Sequence, residues 1–425
     1  MTRIAVVGGG IAGLTLAVAA HRAGLAVSVH EQAAEPSEGE AGLQLSPNAV
    51  RLLDRLGVGP ALRDTACRPA SMEFLRWRDG DVLLRVPVRP GYAERFGADH
   101  HTLRRADLRR MLAALLPAGV LRTGSRCTGV EEFEDRVRAS FADGSSVDAD
   151  VLVGADGLRS VLREHTNPGC TPRHSGMDAY RGVAVRGPAD RGSETAVRLW
   201  IGRDRHFLCY PMDAGRLLNV VAVLPGTTTP SAVAGDHAVD SGGGVDADDR
   251  VDGVGEAGRP GRSGASGGPG RVPSVDLADA FAGWDPEVAA TVLACPGFHR
   301  WPLYDLDPLA TWSTGRTTLI GDAAHPMLPH QAQGACQAIE DAVALATLLG
   351  HAGRIGVPEA LRRFHSLRGP RTARVQAQSR DYASLMHSPQ GAELAASLAP
   401  EDLIARLAET YGHDAEAQAQ AAALA

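Results

Sequence analysis

No apolar run in the 425 residues reaches bilayer-spanning length; even Ala342–Leu349 is short. A membrane partner is therefore not expected. Positive charge is not in excess either. The net charge of −7 argues against nucleic acid, which wants a basic face. Cys-x-x-Cys pairs are missing, and Cys67, Cys127, Cys170, Cys209, Cys295 and Cys336 are widely spread. That spacing fits neither a metal site nor a disulfide framework, so these residues read as small buried hydrophobes in a reducing cytoplasm. The first strand begins at once, with no leader pattern before it. What remains is ordinary: 44 % hydrophobic and 22 % charged residues, in a chain long enough for two or three domains.

The most informative stretch is the first thirty residues. Arg3-Ile4-Ala5-Val6-Val7 reads as a buried strand and runs into Gly8-Gly9-Gly10-Ile11-Ala12-Gly13, a G-x-G-x-x-G. A helix to about Ala23 follows, then a strand over Leu25–His30 that ends on Glu31. Gly8 permits the tight turn, Gly10 close approach to a pyrophosphate, and Gly13 close helix–strand packing. The helix N-terminus offers free N–H groups to the phosphates, and Glu31 can accept from ribose hydroxyls. Strand, glycine turn, helix, strand and acid together predict a dinucleotide site. They do not choose among NAD, NADP and FAD.

Further on, Ser46-Pro47 predicts a helix start, and Met72–Trp77 with Val82–Val88 a hairpin around Arg78–Asp81. From Thr102 a helical pattern returns. Val151-Leu152-Val153 leads into a second small-residue turn at Gly154–Ser160, and residues 179–224 read as an antiparallel sheet. Residues 225–274 hold thirteen glycines and no Leu, Ile, Phe, Met, Tyr or Trp, which predicts a disordered insertion. Trp301–Asp307 is expected to return the chain to the nucleotide domain. Strand Thr317–Ile320 then feeds Gly321-Asp322, and a helix runs from about Gly334. A last long helix near Glu359–Met386 carries a basic run that reads as a solvated face, ahead of an Ala-rich tail.

Three stretches together resemble the single-component (class A) FAD-dependent aromatic hydroxylases. They are the Gly8–Gly13 turn, the Asp-Gly turn at Gly154–Ser160, and Gly321–Ala342. Gly-Asp-Ala-Ala-His-Pro with the later Gln-Gly-Ala and Glu-Asp-Ala is most similar to the salicylate, 3-hydroxybenzoate and 6-hydroxynicotinate monooxygenase branch. The resemblance implies an α/β fold: a Rossmann-type FAD-binding domain, para-hydroxybenzoate hydroxylase-like, with an antiparallel β-sheet substrate domain and a C-terminal helical segment. The FAD-binding domain would comprise residues 1–69, 101–168 and 305–349. The substrate domain would comprise 70–100 and 169–304, and helices and tail 350–425. FAD would be non-covalent, contacted by Gly8, Gly10, Gly13, Glu31, Arg105, Asp156, Gly321, Asp322, Gly334 and Ala335. NADH or NADPH would bind transiently as co-substrate, in a cytoplasmic monomer or homodimer.

The implied activity is hydroxylation of a small aromatic by O2 through a flavin C4a-hydroperoxide. A modest electrophile of this kind needs an electron-rich ring, hence a base or hydrogen-bond partner at a ring hydroxyl, shielded from water. His206, Tyr210 and His330 are the candidates. His206 and Tyr210 stand four apart on one strand and so share a face. The His-x-x-x-Tyr spacing and Pro329-His330 resemble the hydroxynicotinate members, whereas Gln44 departs from the histidine found there. His325 reads as a structural part of the cofactor loop. Alternatives are a same-fold oxidoreductase acting on a larger secondary metabolite and a non-catalytic FAD-binding redox sensor. The tryptophan-rich motif of the halogenases is not found.

Overall fold

The computed structural model describes residues 2–35, 41–187, 195–226, 271–388 and 390–425. Most of the expected disordered insertion, 227–270, lies outside the described residues. At its described edges Pro225 ends one strand and Arg271–Val272 forms another.

A six-stranded sheet is built around Arg3–Val7, which pairs in parallel with Ala26–His30 on one side and Val151–Gly154 on the other. Strands hemmed by parallel neighbours and covered on both faces carry unbroken apolar runs, so Ile4–Val7 are all buried. Thr317–Leu319 extends the parallel set, and the register places Val7, Gly154 and Leu319 side by side. Three strand ends from distant parts of the chain thus converge on one edge, where open α/β sheets bind their ligands. Helix Ile11–Arg22 packs on Gly334–Gly350 behind that edge.

The second sheet has eight strands, in the order Arg271–Val272, Phe298–Asp305, Arg173–Val185, Leu217–Pro225, His206–Met212, Ala196–Ile201, Ser71–Arg76 and Val82–Pro87. It is not wholly antiparallel. Ala196–Ile201 and Ser71–Arg76 run parallel, because the 71–87 hairpin arrives from far earlier in the chain and not through a turn. Phe298–Asp305 pairs with Arg173–Val185, so the chain stays in this sheet as far as Asp305. On one face Phe207, Cys209, Val220 and Ala222 pack under Leu277, Phe281, Val288 and Val292. The alternate residues His206, Leu208, Tyr210, Asn219, Val221 and Arg181 share the other face.

Two further expectations change. His101–Arg104 is a strand paired with Gly42–Leu45, and the helix begins only at Arg105. The Ala-rich tail is ordered: Ala415, Ala419 and Ala423, spaced i, i+4, are buried where helix Ala415–Leu424 packs on Gly334–Gly350. Small side chains there let two helix backbones approach closely, which a hydropathy reading does not reveal.

Candidate active site

The glycine turn has the shape its sequence demands. Gly8 adopts φ +109°, and a Cβ there would lie 2.2 Å from the Ala155 carbonyl oxygen. A Cβ on Gly13 would lie 2.0 Å from the Gly8 oxygen, whereas one on Gly10 would meet nothing within 4 Å. Two glycines are therefore required by packing and the third leaves open space before the helix N-terminus. Glu31 closes the turn: Gly9 N donates to its Oε2 at 2.6 Å and Ala33 N to its Oε1 at 2.9 Å. Arg105 is exposed at the start of its helix. The Asp156 carboxylate accepts from Val161 N (2.8 Å) and Ser160 Oγ (2.5 Å), so it caps the Val161–Thr166 helix. That makes it a shaping residue of the turn.

Gly321 (φ +60°) and Asp322 follow the third strand end. Asp322 is exposed, with Oδ1 4.0 Å from where a Gly334 Cβ would stand. The 17-residue helix starting at Gly334 has no side-chain cap, because Gln333 turns away to donate to Ser46 Oγ at 2.8 Å. The backbone N–H groups of Gly334 and Ala335 are thus presented beside Asp322 at the positive end of a long helix.

Behind this corner lies a buried ionic network. Asp341 accepts from Gly321 N (3.0 Å), His325 Nε2 (2.6 Å) and Arg368 Nε (2.7 Å). Glu340 accepts from Arg371 Nε (2.7 Å) and Asn48 Nδ2 (2.6 Å), and Arg368 pairs with it as well. Burial alone would raise both carboxyls, but the arginines, with His325 at Asp341, draw both down to about 2. His325 is structural, as its sequence context implied. The basic run is not a uniformly solvated face: Arg362 and Arg374 are exposed, whereas Arg368 and Arg371 are buried clamps.

On the open face of the eight-stranded sheet, His206 and His330 meet edge to face, ring centroids 5.3 Å apart. His387, at the end of helix Val357–Met386, joins them, its Nε2 2.8 Å from His206 Nδ1. Burial lowers all three, helped at His206 by the other two rings and at His330 by His387, while Asp204 opposes it at His387; His330 falls to about 3. They are neutral near pH 7, and both His330 ring nitrogens are enclosed without a partner. Tyr210, two alternations along, is buried beside Asn219, and burial keeps its phenol protonated. Asn219 Oδ1 accepts from Gly42 N at 2.8 Å, tying this face to the Gly42–Leu45 strand. A Cβ on Gly42 would lie 2.4 Å from Asn219 Cγ, so only glycine fits. All three sequence candidates therefore share one face.

The chain matches the FAD binding domain family over residues 1–212 and 301–379. It is 42 % identical to 3-amino-4-hydroxybenzoate 2-monooxygenase PtnB3 of Streptomyces platensis, over 92 % of this chain and 89 % of that one. It is 36 % identical to 6-hydroxynicotinate 3-monooxygenase of Bordetella bronchiseptica, over 89 % of this chain and 91 % of that one. This chain belongs to the FAD-dependent aromatic hydroxylases. A solved salicylate hydroxylase substrate complex is similar throughout, with TM-score 0.77, 27 % identity, and coverage of 99 % of this chain and 98 % of that one.

The residues present fit the flavin dinucleotide of such a hydroxylase. The open space at Gly10, the acid at Glu31 and the uncapped helix beside Asp322 together supply N–H donors for phosphate and flavin and acceptors for ribose and ribityl hydroxyls. Among the described residues no His/Cys/Asp/Glu group could hold a metal. Sequence reasoning missed His387, Asn219 and Arg181. His387 lies far along the chain from the sheet and carries no motif. Asn219 and Arg181 were legible only as alternating residues of strands whose register was unknown.

Proposed function

We propose that this hydroxylase uses NAD(P)H and O2 to add one oxygen atom to a small phenolic or hydroxy-heteroaromatic acid. The overall balance is ArH + NAD(P)H + H⁺ + O2 giving ArOH + NAD(P)⁺ + H2O. The observation that carries the reading is His330: neutral, enclosed, with both ring nitrogens free, on the face shared by His206 and Tyr210. Bound FAD supplies hydride acceptance, O2 activation and oxygen transfer. Gly8, Gly10, Gly13, Glu31, Arg105, Gly321, Asp322, Gly334 and Ala335 hold it, and Asp156 shapes the adjoining turn.

A neutral imidazole accepts a hydrogen bond from the ring hydroxyl, which raises electron density in the ring as it is attacked. Beside it His206 and His387 are joined ring to ring at 2.8 Å, which fixes the orientation of both imidazoles, and the Asp204 charge acts on His387. Tyr210, a phenol held by Asn219, fixes the substrate edge. The apolar Leu208–Val221 row between them keeps water from the ring.

The relatives' names direct the test. Purified protein should release FAD on acid precipitation. NADH or NADPH oxidation is then followed with 3-amino-4-hydroxybenzoate, 6-hydroxynicotinate and salicylate. At least one should accelerate oxidation and yield a product heavier by one oxygen; if FMN is released, or no hydroxylated aromatic acid accelerates turnover, the reading fails.

A further inference from the structure

Two helix N-termini stand side by side at the cofactor corner, and neither is capped by the side chain at its head. Ser46 precedes helix Pro47–Arg55 with the extended backbone of an N-cap, φ −88° and ψ 165°, and proline follows it. Serine is among the most favoured caps, yet this hydroxyl makes no bond to its own helix. Gln333, at the head of Gly334–Gly350, makes none to its helix either. The two side chains bond each other instead, Gln333 Nε2 donating to Ser46 Oγ at 2.8 Å. Ser46 in turn donates to Asn48 Oδ1 at 2.7 Å, and Cys336 Sγ, inside the second helix, lies 3.3 Å from the same hydroxyl. Ser46, Asn48, Gln333 and Cys336 are all buried.

One charge sets the direction of these bonds. Glu340 is a buried carboxylate held by Arg368 and Arg371, so it only accepts. Asn48 therefore turns Nδ2 toward it, at 2.6 Å, and its oxygen toward Ser46. The single Ser46 proton goes to Asn48, which leaves the Ser46 oxygen to accept from Gln333. The Gln333 oxygen accepts from Asn48 Nδ2 and Gln337 Nε2, each at 3.2 Å, so both its lone pairs are occupied. Gln337 is held the same way round, its own oxygen accepting from Arg368 at 2.8 Å. Gln333 thus has no acceptor left for the N–H groups of Gly334 and Ala335.

We propose that Ser46 is a positioning residue for the flavin: through Gln333 it keeps the N-terminus of the Gly334 helix open and fixed. This rests on the hydroxylase reading above, in which FAD lies at that helix end. Open N–H groups at the positive end of a 17-residue helix favour negative charge. Reduced flavin is the more negative form, so it gains more from this arrangement than oxidised flavin does.

The test is the two-electron reduction potential of bound FAD, measured by equilibration with a reference dye, beside FAD affinity and unfolding of the apoprotein. Ser46→Ala should weaken binding of reduced FAD about tenfold more than that of oxidised FAD, which moves the potential about 30 mV more negative. Ser46→Thr, which keeps the hydroxyl, should hold the wild-type potential. Gln333→Ala should shift the potential as far as Ser46→Ala does, and the double variant should shift it no further. Gln333→Ala carries the same test should Ser46→Ala fail to fold. A role confined to packing would lower stability and FAD content but leave the potential of the remaining bound flavin unchanged, and that result overturns the proposal. Additive shifts in the double variant overturn it too, because Ser46 would then not act through Gln333. Release of FMN, or no flavin uptake by wild type, overturns the flavin reading itself and the proposal with it.

Discussion

The imidazoles of His206 and His387 are joined Nδ1 to Nε2 at 2.8 Å, with ring centroids 5.1 Å apart and planes 21° from parallel. One residue belongs to the eight-stranded sheet and the other follows the long C-terminal helix, so the contact ties that sheet to the helix that also carries Arg368 and Arg371. His387→Ala removes this contact without touching the glycine turn or Asp322. FAD content should stay at the wild-type level while hydroxylation slows by about 10²-fold, the lower end of the range for general acid–base help. Stopped-flow rates of flavin reduction and of product formation separate the two; a slowed reduction step with normal hydroxylation would refute this assignment.

The same histidines set an acid limit on stability. His330 is half-buried with both ring nitrogens enclosed, and desolvation lowers its pKa to about 3, against about 6.5 in the unfolded chain. Below about pH 6.5 the unfolded state takes up a proton that the folded state refuses, so stability falls as pH drops from there toward 3, and is unaffected above. The limiting slope is ~1.4 kcal/mol per pH unit for each such histidine. His330→Gln should flatten the fall in Tm between pH 6.5 and 4 and leave Tm at pH 8 nearly unchanged.

The Arg368 clamp should behave as a structural charge. It links Asp341, which holds Gly321 N, to Glu340 on the same helix. Its removal leaves Glu340 to Arg371 and Asp341 to His325, two buried carboxylates each short of one charged partner, so Arg368→Met should cost about 3–5 kcal/mol. Because Asp341 positions the Gly321-Asp322 corner, FAD affinity should fall with it. Urea unfolding of the apoprotein and FAD titration give both quantities. A variant of unchanged stability would place the clamp among dispensable ion pairs.

The parts of this molecule legible in its sequence are those fixed by local chemistry. Gly8, Gly13 and Glu31 fell where expected because a strand–turn–helix leaves few other choices, and His206 with Tyr210 share a face because strand periodicity is two. What was not legible depends on long-range partners. Arg368 and Arg371 read as a solvated basic face because Glu340 and Asp341, on another helix, cannot be paired with them by spacing. The tail looked uninformative because three alanines at i, i+4 matter only beside the Gly334–Gly350 helix. Asp156 shows the same limit: a carboxylate at a turn can bind a ligand or cap the next helix, and here Val161 N, Leu162 N and Ser160 decide for the cap.

On the proposed reading, cofactor binding and hydroxylation use separate residues, and the last prediction tests that separation. Asp322, exposed beside the Gly334 helix end, would serve the cofactor, whereas Tyr210 and His330 lie at the sheet face proposed to take the substrate. Nicotinamide needs only to reach the flavin for reduction to proceed. Oxygen transfer needs the ring hydroxyl activated while water is kept out. Tyr210→Phe and His330→Ala should therefore retain FAD and still consume NADH, but hydroxylate about 10²–10⁴-fold more slowly, as loss of general-base help implies. NADH consumption uncoupled from hydroxylation would reduce O2 to hydrogen peroxide, so the ratio of product to NADH oxidised should fall as peroxide rises. Asp322→Ala should lose FAD itself, with no change in that ratio for the fraction still loaded. Measuring product, NADH and peroxide together on each variant distinguishes the cases. Should Tyr210→Phe and His330→Ala both keep the parent rate and ratio, the sheet face is a structural surface and the chemistry belongs elsewhere.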